Sequence, residues 1–133
     1  MNRVHRGRGY DYFLRYHIVW CVTNRTPIFV GEVAEATEKI LRERAKENEI
    51  DIVELTVAPD HVHVLVDCKP QQPIPNMVKA FKGGGARHVF MRYPELKDKV
   101  YRGFLWRASY FVAIDNPDIQ EQIQEYINRQ PKK

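Results

Sequence analysis

From Tyr10 to Thr23 the chain alternates in period two. Tyr16, Ile18, Trp20 and Val22 stand on one side and His17, Val19, Cys21 and Thr23 on the other. Aromatic and β-branched residues dominate, so the pattern predicts a first strand buried on at least one face. Past the turn around "NRTP" the period changes. Val33, Ala36, Ile40, Leu41 and Ala45 recur at helical spacing among charged residues, which predicts a helix over 33–49 with one charged, exposed face. "IDIVELTVA" then places Val53, Leu55 and Val57 on one face of a second strand, and Pro59 and Asp60 turn the chain into "HVHVLVDC", a third strand antiparallel to the second. Three prolines in "CKPQQPIP" mark a loop before a second helical region over 74–90. Gly83, Gly84 and Gly85 interrupt that region at a cost of roughly 2–3 kcal/mol relative to alanine, and so point to a break, a cap or close approach of another backbone. A fourth strand is expected over 103–114. The last helix is expected from Asn116 as N-cap and Pro117 as its first residue to about Gln130.

The order β-α-β-β-α-β plus an extra C-terminal helix predicts an α+β, ferredoxin-like split βαβ fold, an antiparallel sheet with helices on one face. At 133 residues the expectation is one domain, with 1–9 as a basic N-terminal arm and 117–130 as the last helix. No apolar run reaches membrane-spanning length and the basic N-terminus lacks a secretory signal pattern, so the expected location is cytoplasmic. Cys21 and Cys68 lie inside strand patterns and are expected as buried thiols. The net charge of +4 is compatible with a polyanionic partner. Arg3, Arg6 and Arg8 crowd the N-terminus, and Lys79, Lys82, Arg87 and Arg92 bracket "KGGGARH".

Within the third strand His61 and His63 project from one face while Val62, Val64 and Val66 point to the other. Two imidazoles so placed can converge on one divalent cation, or serve as hydrogen-bonded strand histidines; a cation site needs a third donor from elsewhere. The last helix offers a candidate, the carbonyl oxygen of Gln130. Ile119, Ile123 and Ile127 form an i, i+4, i+8 core stripe, and Gln122, Tyr126 and Gln130 form a second row about 100° round the helix. On spacing alone, a boundary tyrosine with its tip in water and a solvated helix-end glutamine explain that row better than a site does.

"YHIVWCVTNRTPIF", "APDHVHVLVD", "FKGGGARHVFMRYPEL", "LWRASYFVA" and "YINRQ" together resemble the single-tyrosine HUH transposases (TnpA) of the insertion-sequence 200/605 family, along almost the whole chain. The resemblance implies that His61 and His63 bind Mg²⁺ or Mn²⁺, that Gln130 is a further ligand, and that Tyr126 is the nucleophile. It implies cleavage and rejoining of single-stranded DNA at hairpin-marked element ends through a 5′-phosphotyrosyl intermediate. It also implies a homodimer in which the last helix of one subunit delivers its tyrosine to the histidines of the other. Asp60 is expected to orient a ligating histidine, from adjacency. Arg3, Arg6, Arg8, Lys79, Lys82 and Arg87 are expected on DNA phosphates, with Tyr10 or Phe81 available to stack on bases. The chain departs from the family pattern where Gly85 replaces a common serine. It departs again where "IDNP" replaces a glycine hinge, Asn116 there being able to take glycine's left-handed conformation. A non-catalytic ferredoxin-like nucleic-acid-binding module, or a domesticated relative acting on repeated palindromes, would share these features.

Overall fold

The structure is a computed structural model and describes residues 4–132. A short hairpin of β1 (His5–Gly7) and β2 (Tyr10–Tyr12) precedes β3 (Leu14–Cys21). Then follow α1 (Glu32–Glu47), β4 (Asp51–Ala58), β5 (His61–Cys68), α2 (Ile74–Lys79), α3 (Gly85–Arg92), β6 (Phe111–Ile114) and α4 (Ile119–Arg129). The main sheet has the order β4-β5-β3-β6 and every pairing in it is antiparallel, the expected ferredoxin-like topology.

One face of this sheet carries the main core. Ile18 and Trp20 of β3, Val22 just past its end, and Val62, Val64 and Val66 of β5 pack with Ile40 and Leu41 of α1 and Val89 of α3. The other face is covered by α4, whose Ile119, Ile123 and Ile127 pack on Val19 and Cys21. The helices therefore sandwich the sheet, the extra one lying alone on the side to which the histidines point. Both cysteines are buried and unpaired, and burial pushes each thiol up to about 11.

Several boundaries differ from expectation for local reasons. The basic arm is partly built into the β1–β2 hairpin, turned at Gly9 with φ +87°, and the first long strand starts at Leu14. A β-bulge between Ile52 and Glu54 inserts Val53, so Ile52, Leu55 and Val57 face the core while Val53 is exposed. The triple glycine does not break the second helical region: residues Ala80–Gly84 form a π-helical segment joining α2 to α3. A Cβ at Gly84 would meet Arg44 Cδ at 2.9 Å and one at Gly85 would meet Leu41 Cδ2 at 3.0 Å, so these glycines admit α1 at close range. Gly85 is buried in that helix contact.

The fourth strand is shorter than expected. Residues 104–110 run irregularly, with only an isolated bridge from Trp106 to Val22 before β6. Asp118, not Asn116, precedes the first turn of α4. Asn116 does not adopt the left-handed conformation; its Oδ1 accepts from the Asp118 N–H at 2.9 Å and its Nδ2 donates to the Ile114 carbonyl at 2.7 Å. Side-chain hydrogen bonds of Asn116 thus shape the turn into α4.

Candidate active site

Strand register puts Cys21 opposite His61 and Val19 opposite His63. Because paired residues share a face, the surface on which α4 rests lies one strand, about 4.8 Å, from the imidazoles. Tyr126 is 6% exposed and packs with Ile123 and Ile127, its ring 5.7 Å from that of Phe111. The expected row of Gln122, Tyr126 and Gln130 off the packing stripe therefore does not hold. An apolar helix face is wider than one i, i+4 line, and Tyr126, three residues after Ile123, falls inside it. Gln122 faces solvent and Gln130 is half-buried.

The phenol tip nevertheless escapes the apolar patch. Tyr126 Oη lies 2.9 Å from Ser109 Oγ, Ser109 Oγ donates to Gln130 Oε1 at 3.4 Å, and Gln130 Nε2 donates to the Tyr126 carbonyl at 2.9 Å. That last bond turns the amide oxygen toward the serine, so the tyrosine proton points at Ser109. Burial raises the Tyr126 pKa, with the Ser109 hydrogen bond acting in the opposite sense, so the hydroxyl is protonated at neutral pH.

Each strand histidine is held by one ring nitrogen. His61 Nδ1 donates to Asp60 Oδ1 at 2.9 Å, leaving Nε2 with its lone pair. Burial alone would raise the Asp60 pKa, but the hydrogen bonds and charges of His61 and Arg25 override it and lower it. His63 Nε2 lies 2.8 Å from Nδ1 of His17, a residue only 4% exposed, whose Nε2 donates to Asp115 Oδ1 at 2.9 Å. The carboxylate can only accept, so neutral His17 carries its proton on Nε2 and accepts from His63 Nε2–H. Nδ1 of His63 is left with a lone pair. Burial, then the charges of His17 and His61, push His63 down to about 4.

This last shift has a stability consequence. An unfolded histidine titrates near 6.5, so between pH 6.5 and about 4 the unfolded chain takes up a proton that folded His63 refuses. Stability is expected to fall as pH drops through that window without divalent cation. Urea midpoints of His63→Gln, compared with those of the parent chain, should lose part of that slope.

Arg25 ties the two halves of the site together. Its Nε donates to Asp60 Oδ2 at 3.1 Å, and its Nη1 donates to the carbonyls of Ile127 at 3.2 Å and Gln130 at 3.5 Å. The end of α4 is thereby pinned beside the His61 turn of its own chain. Arg25, Ser109, His17 and Asp115 were not singled out from sequence. Only His17 left a signal there, since it alternates away from the core side of its strand.

The expected DNA contacts scatter. Arg6 and Arg8 are exposed on the β1–β2 hairpin, which His5 ties to Asp67 at 2.9 Å, four residues or about 13 Å along β5 from His63. Arg3 lies outside the described residues. Lys79 and Arg87 are exposed on the helical layer across the sheet from the imidazoles. Lys82 is half-buried and donates to the carbonyls of Arg107 at 2.7 Å and Ser109 at 3.3 Å, so it braces the segment carrying Ser109. Phe81 is fully buried with its ring on Trp20 at 5.6 Å and offers no face to a base; Tyr10 is exposed.

Among the described residues no three His, Cys, Asp or Glu side chains converge as a metal cage. The donors available for a cation are the free nitrogens of His61 and His63, with an amide oxygen such as that of Gln130, a set that suits a divalent ion keeping open positions. Among the described residues no helix is long and apolar enough to cross a membrane.

Fold and site together define a ferredoxin-like protein with a His-Val-His strand faced by a tyrosine-bearing helix. The profile of IS200-like transposases matches residues 11–130, and the chain belongs to that family. It is 46% identical over 128 residues to the ISDra2 transposase TnpA of Deinococcus radiodurans, covering 96% of this chain and 91% of that one. It is 28% identical over 116 residues to the IS200 transposase of Salmonella typhimurium, covering 87% and 76%. Among solved structures, a candidate transposase from Deinococcus radiodurans R1 superposes with a TM-score of 0.92 at 42% identity, over 96% of this chain and 98% of that one. A REP-associated tyrosine transposase bound to a REP hairpin shares the fold, with a TM-score of 0.59 at 11% identity over 92% and 72%.

Proposed function

We propose that the protein cleaves and rejoins single-stranded DNA at hairpin-marked ends, with Tyr126 as nucleophile and His61, His63 and Gln130 holding Mg²⁺ or Mn²⁺. The observation that carries this reading is the convergence on one sheet face of two imidazoles, each with a free nitrogen, and a phenol aimed out of its apolar bed by Ser109. A bound divalent cation would polarise the scissile phosphate and offset the charge that develops on it. Tyr126 Oη attacks phosphorus in line, losing its proton through Ser109 toward solvent. The 3′-oxygen leaves and takes up a proton as a free hydroxyl. The phosphodiester energy is kept in the phosphotyrosyl bond, so a 3′-hydroxyl can reverse the step without ATP.

Asp115, His17 and Asp60 act on the imidazoles rather than on DNA. Through them each ring is held in the tautomer whose lone pair faces away from its protein partner. Asp115→Ala is expected to weaken Mn²⁺ binding about tenfold by calorimetry, within the range for residues that orient a ligand. The substitution also leaves the Nε2–H of buried His17 without its acceptor. Because the Asp115 side chain is 54% exposed, water can take part of that role, so the stability loss is expected near the low end of about 1–3 kcal/mol, read from an unfolding curve beside the titration.

In the proposed homodimer, exchange of α4 between subunits would seat Tyr126 at the partner's histidines in the equivalent position, so the Arg25, Ser109 and isoleucine contacts made here within one chain would re-form across the two subunits. Single-stranded oligonucleotides containing imperfect palindromes, incubated with the protein and Mg²⁺ or Mn²⁺, test the reading. A covalent protein–DNA product carrying the 5′-phosphate is expected. A free 5′-phosphate end produced by water attack, with no adduct, would overturn it.

A further inference from the structure

Beside the tyrosine runs an open groove of about 630 Å³ lined by Thr23, Asn24, Tyr101, Phe104, Trp106, Arg107, Ala108 and Ser109. That volume is in the size class of sites that take molecules as large as a nucleotide. Ser109 belongs to both places, lining the groove while its Oγ contacts Tyr126 Oη at 2.9 Å.

The groove's surface is unusual for one facing only water. Phe104 is 65% exposed and Tyr101 55% exposed, two aromatic faces at one mouth. Trp106 forms a fixed floor, its ring edge-on to Trp20 at 5.9 Å and its Nε1 donating to the Lys82 carbonyl at 2.9 Å. Among the described residues the Arg107 guanidinium and the Asn24 amide have no hydrogen-bond or ion-pair partner. The Arg102 guanidinium lies over the Tyr101 ring at 5.0 Å.

The backbone is also special here. Four non-glycine residues among those described have positive φ, and three of them, Asn24, Arg25 and Arg102, border this groove or the site beside it. Such conformations are sparsely populated and persist where the surrounding structure enforces them, commonly at binding sites. Asn24 lines the groove with Arg25 next to it in sequence, and Arg102 and Gly103 lie between the lining residues Tyr101 and Phe104, so both stretches of backbone that supply the lining pass through left-handed turns.

We propose that this groove holds the unpaired nucleotides flanking the scissile phosphate, a base stacking on Phe104 and Tyr101 and a phosphate resting on Arg107. The occupant is single-stranded because a stacking face is reached only by a base outside a duplex. It is nucleic acid because the uncommitted Arg107 guanidinium lies in one groove with the exposed rings of Phe104 and Tyr101, the pairing that binds backbone and base together. The inference rests on the reading of Tyr126 as nucleophile, since the shared Ser109 is what would place the bound strand at the reacting hydroxyl.

Two measurements on the full chain test it separately from the chemistry. A hairpin oligonucleotide with single-stranded flanks carries 5-iodouracil at successive flank and stem positions. Irradiation should crosslink flank positions, on either side of the cleaved bond, to Tyr101, Phe104 or Trp106, as mapped by mass spectrometry. In parallel, Phe104→Ala and Arg107→Ala should each weaken binding of the unpaired strand about tenfold. Arg107→Ala should also lower the salt dependence by about 0.7 of a log unit per log unit of salt. Both side chains are partly or largely exposed, so the fold should survive either change. Crosslinks confined to the stem or to other surfaces, or affinities unchanged in both variants, would overturn the groove even where Tyr126 adducts form. Groove crosslinks without adducts would leave the binding site standing and reject the nucleophile.

Discussion

Tyr126→Phe is expected to abolish the covalent protein–DNA product, by at least about 10⁴-fold, while leaving hairpin binding intact. Removing a nucleophile removes the bond-forming atom, and losses of that order accompany deletion of a covalent catalyst's attacking group. Phenylalanine fills the same bed among Ile123, Ile127 and Phe111, so packing is kept. The substitution deletes the Ser109 contact, about 0.5–1.5 kcal/mol, and the low end applies because Ser109 is exposed and can turn to water. Denaturing gels of 5′- and 3′-labelled hairpins would show the adduct, and fluorescence anisotropy the binding. Adduct from Tyr126→Phe at the parent level would reject Tyr126 and with it the proposed mechanism. Loss of binding together with adduct would mean that the phenol holds DNA rather than attacks it.

His61→Ala is expected to reduce Mg²⁺- or Mn²⁺-dependent cleavage about 10²- to 10⁴-fold, with most of the loss appearing as weakened cation binding. Lewis-acid stabilisation at phosphorus is worth several kcal/mol, and each 1.4 kcal/mol is a factor of ten. His61 is the cleaner of the two histidines to change, because Asp60 retains Arg25 when His61 is lost. His63→Ala should have a similar effect on chemistry but also leaves Nδ1 of buried His17 unpaired, at about 1–3 kcal/mol of stability. A cation titration followed by calorimetry, beside an unfolding curve for each variant, separates the two effects. Cleavage by His61→Ala at the parent rate in Mg²⁺ would place the cation elsewhere. A ferredoxin-like binding module with structural histidines would show no cation-dependent cleavage in either chain.

The parts of this site legible in the sequence are those that follow from local period. His61 and His63 share a face because strand side chains alternate, and the valines between them enter the core for the same reason. The α4 stripe of Ile119, Ile123 and Ile127 follows from helical spacing in the same way. Helical period was weaker at Tyr126, where the width of the buried face mattered more than the line through the isoleucines. It failed in β4 as well, where one inserted residue reversed the side to which Val53 points. Asn116 misled for a further reason: its side-chain hydrogen bonds moved the start of α4 two residues on, to follow Asp118.

Net charge was compatible with a polyanionic partner, and the family resemblance implied DNA, but neither located the contact surface. Lys82 illustrates why. In sequence it is one of several cations, whereas in the fold two backbone carbonyls take its ammonium and burial lowers its pKa. Arg107, absent from the expected contacts, keeps its guanidinium uncommitted in the groove beside the tyrosine.

By itself the sequence determined the order of strands and helices, the face shared by the two histidines, and the family to which the chain belongs, because these are written in short-range periodicity and contiguous motifs. The tertiary structure decided which side of the sheet α4 covers. It also decided that His17 and Asp115 stand behind His63, that Ser109 aims Tyr126, and that Arg25 binds the His61 turn to the end of α4. Those contacts join residues from 17 to 105 positions apart. Only strand register and the paths of the intervening loops bring them within hydrogen-bonding distance, and neither is encoded in any single stretch of the chain.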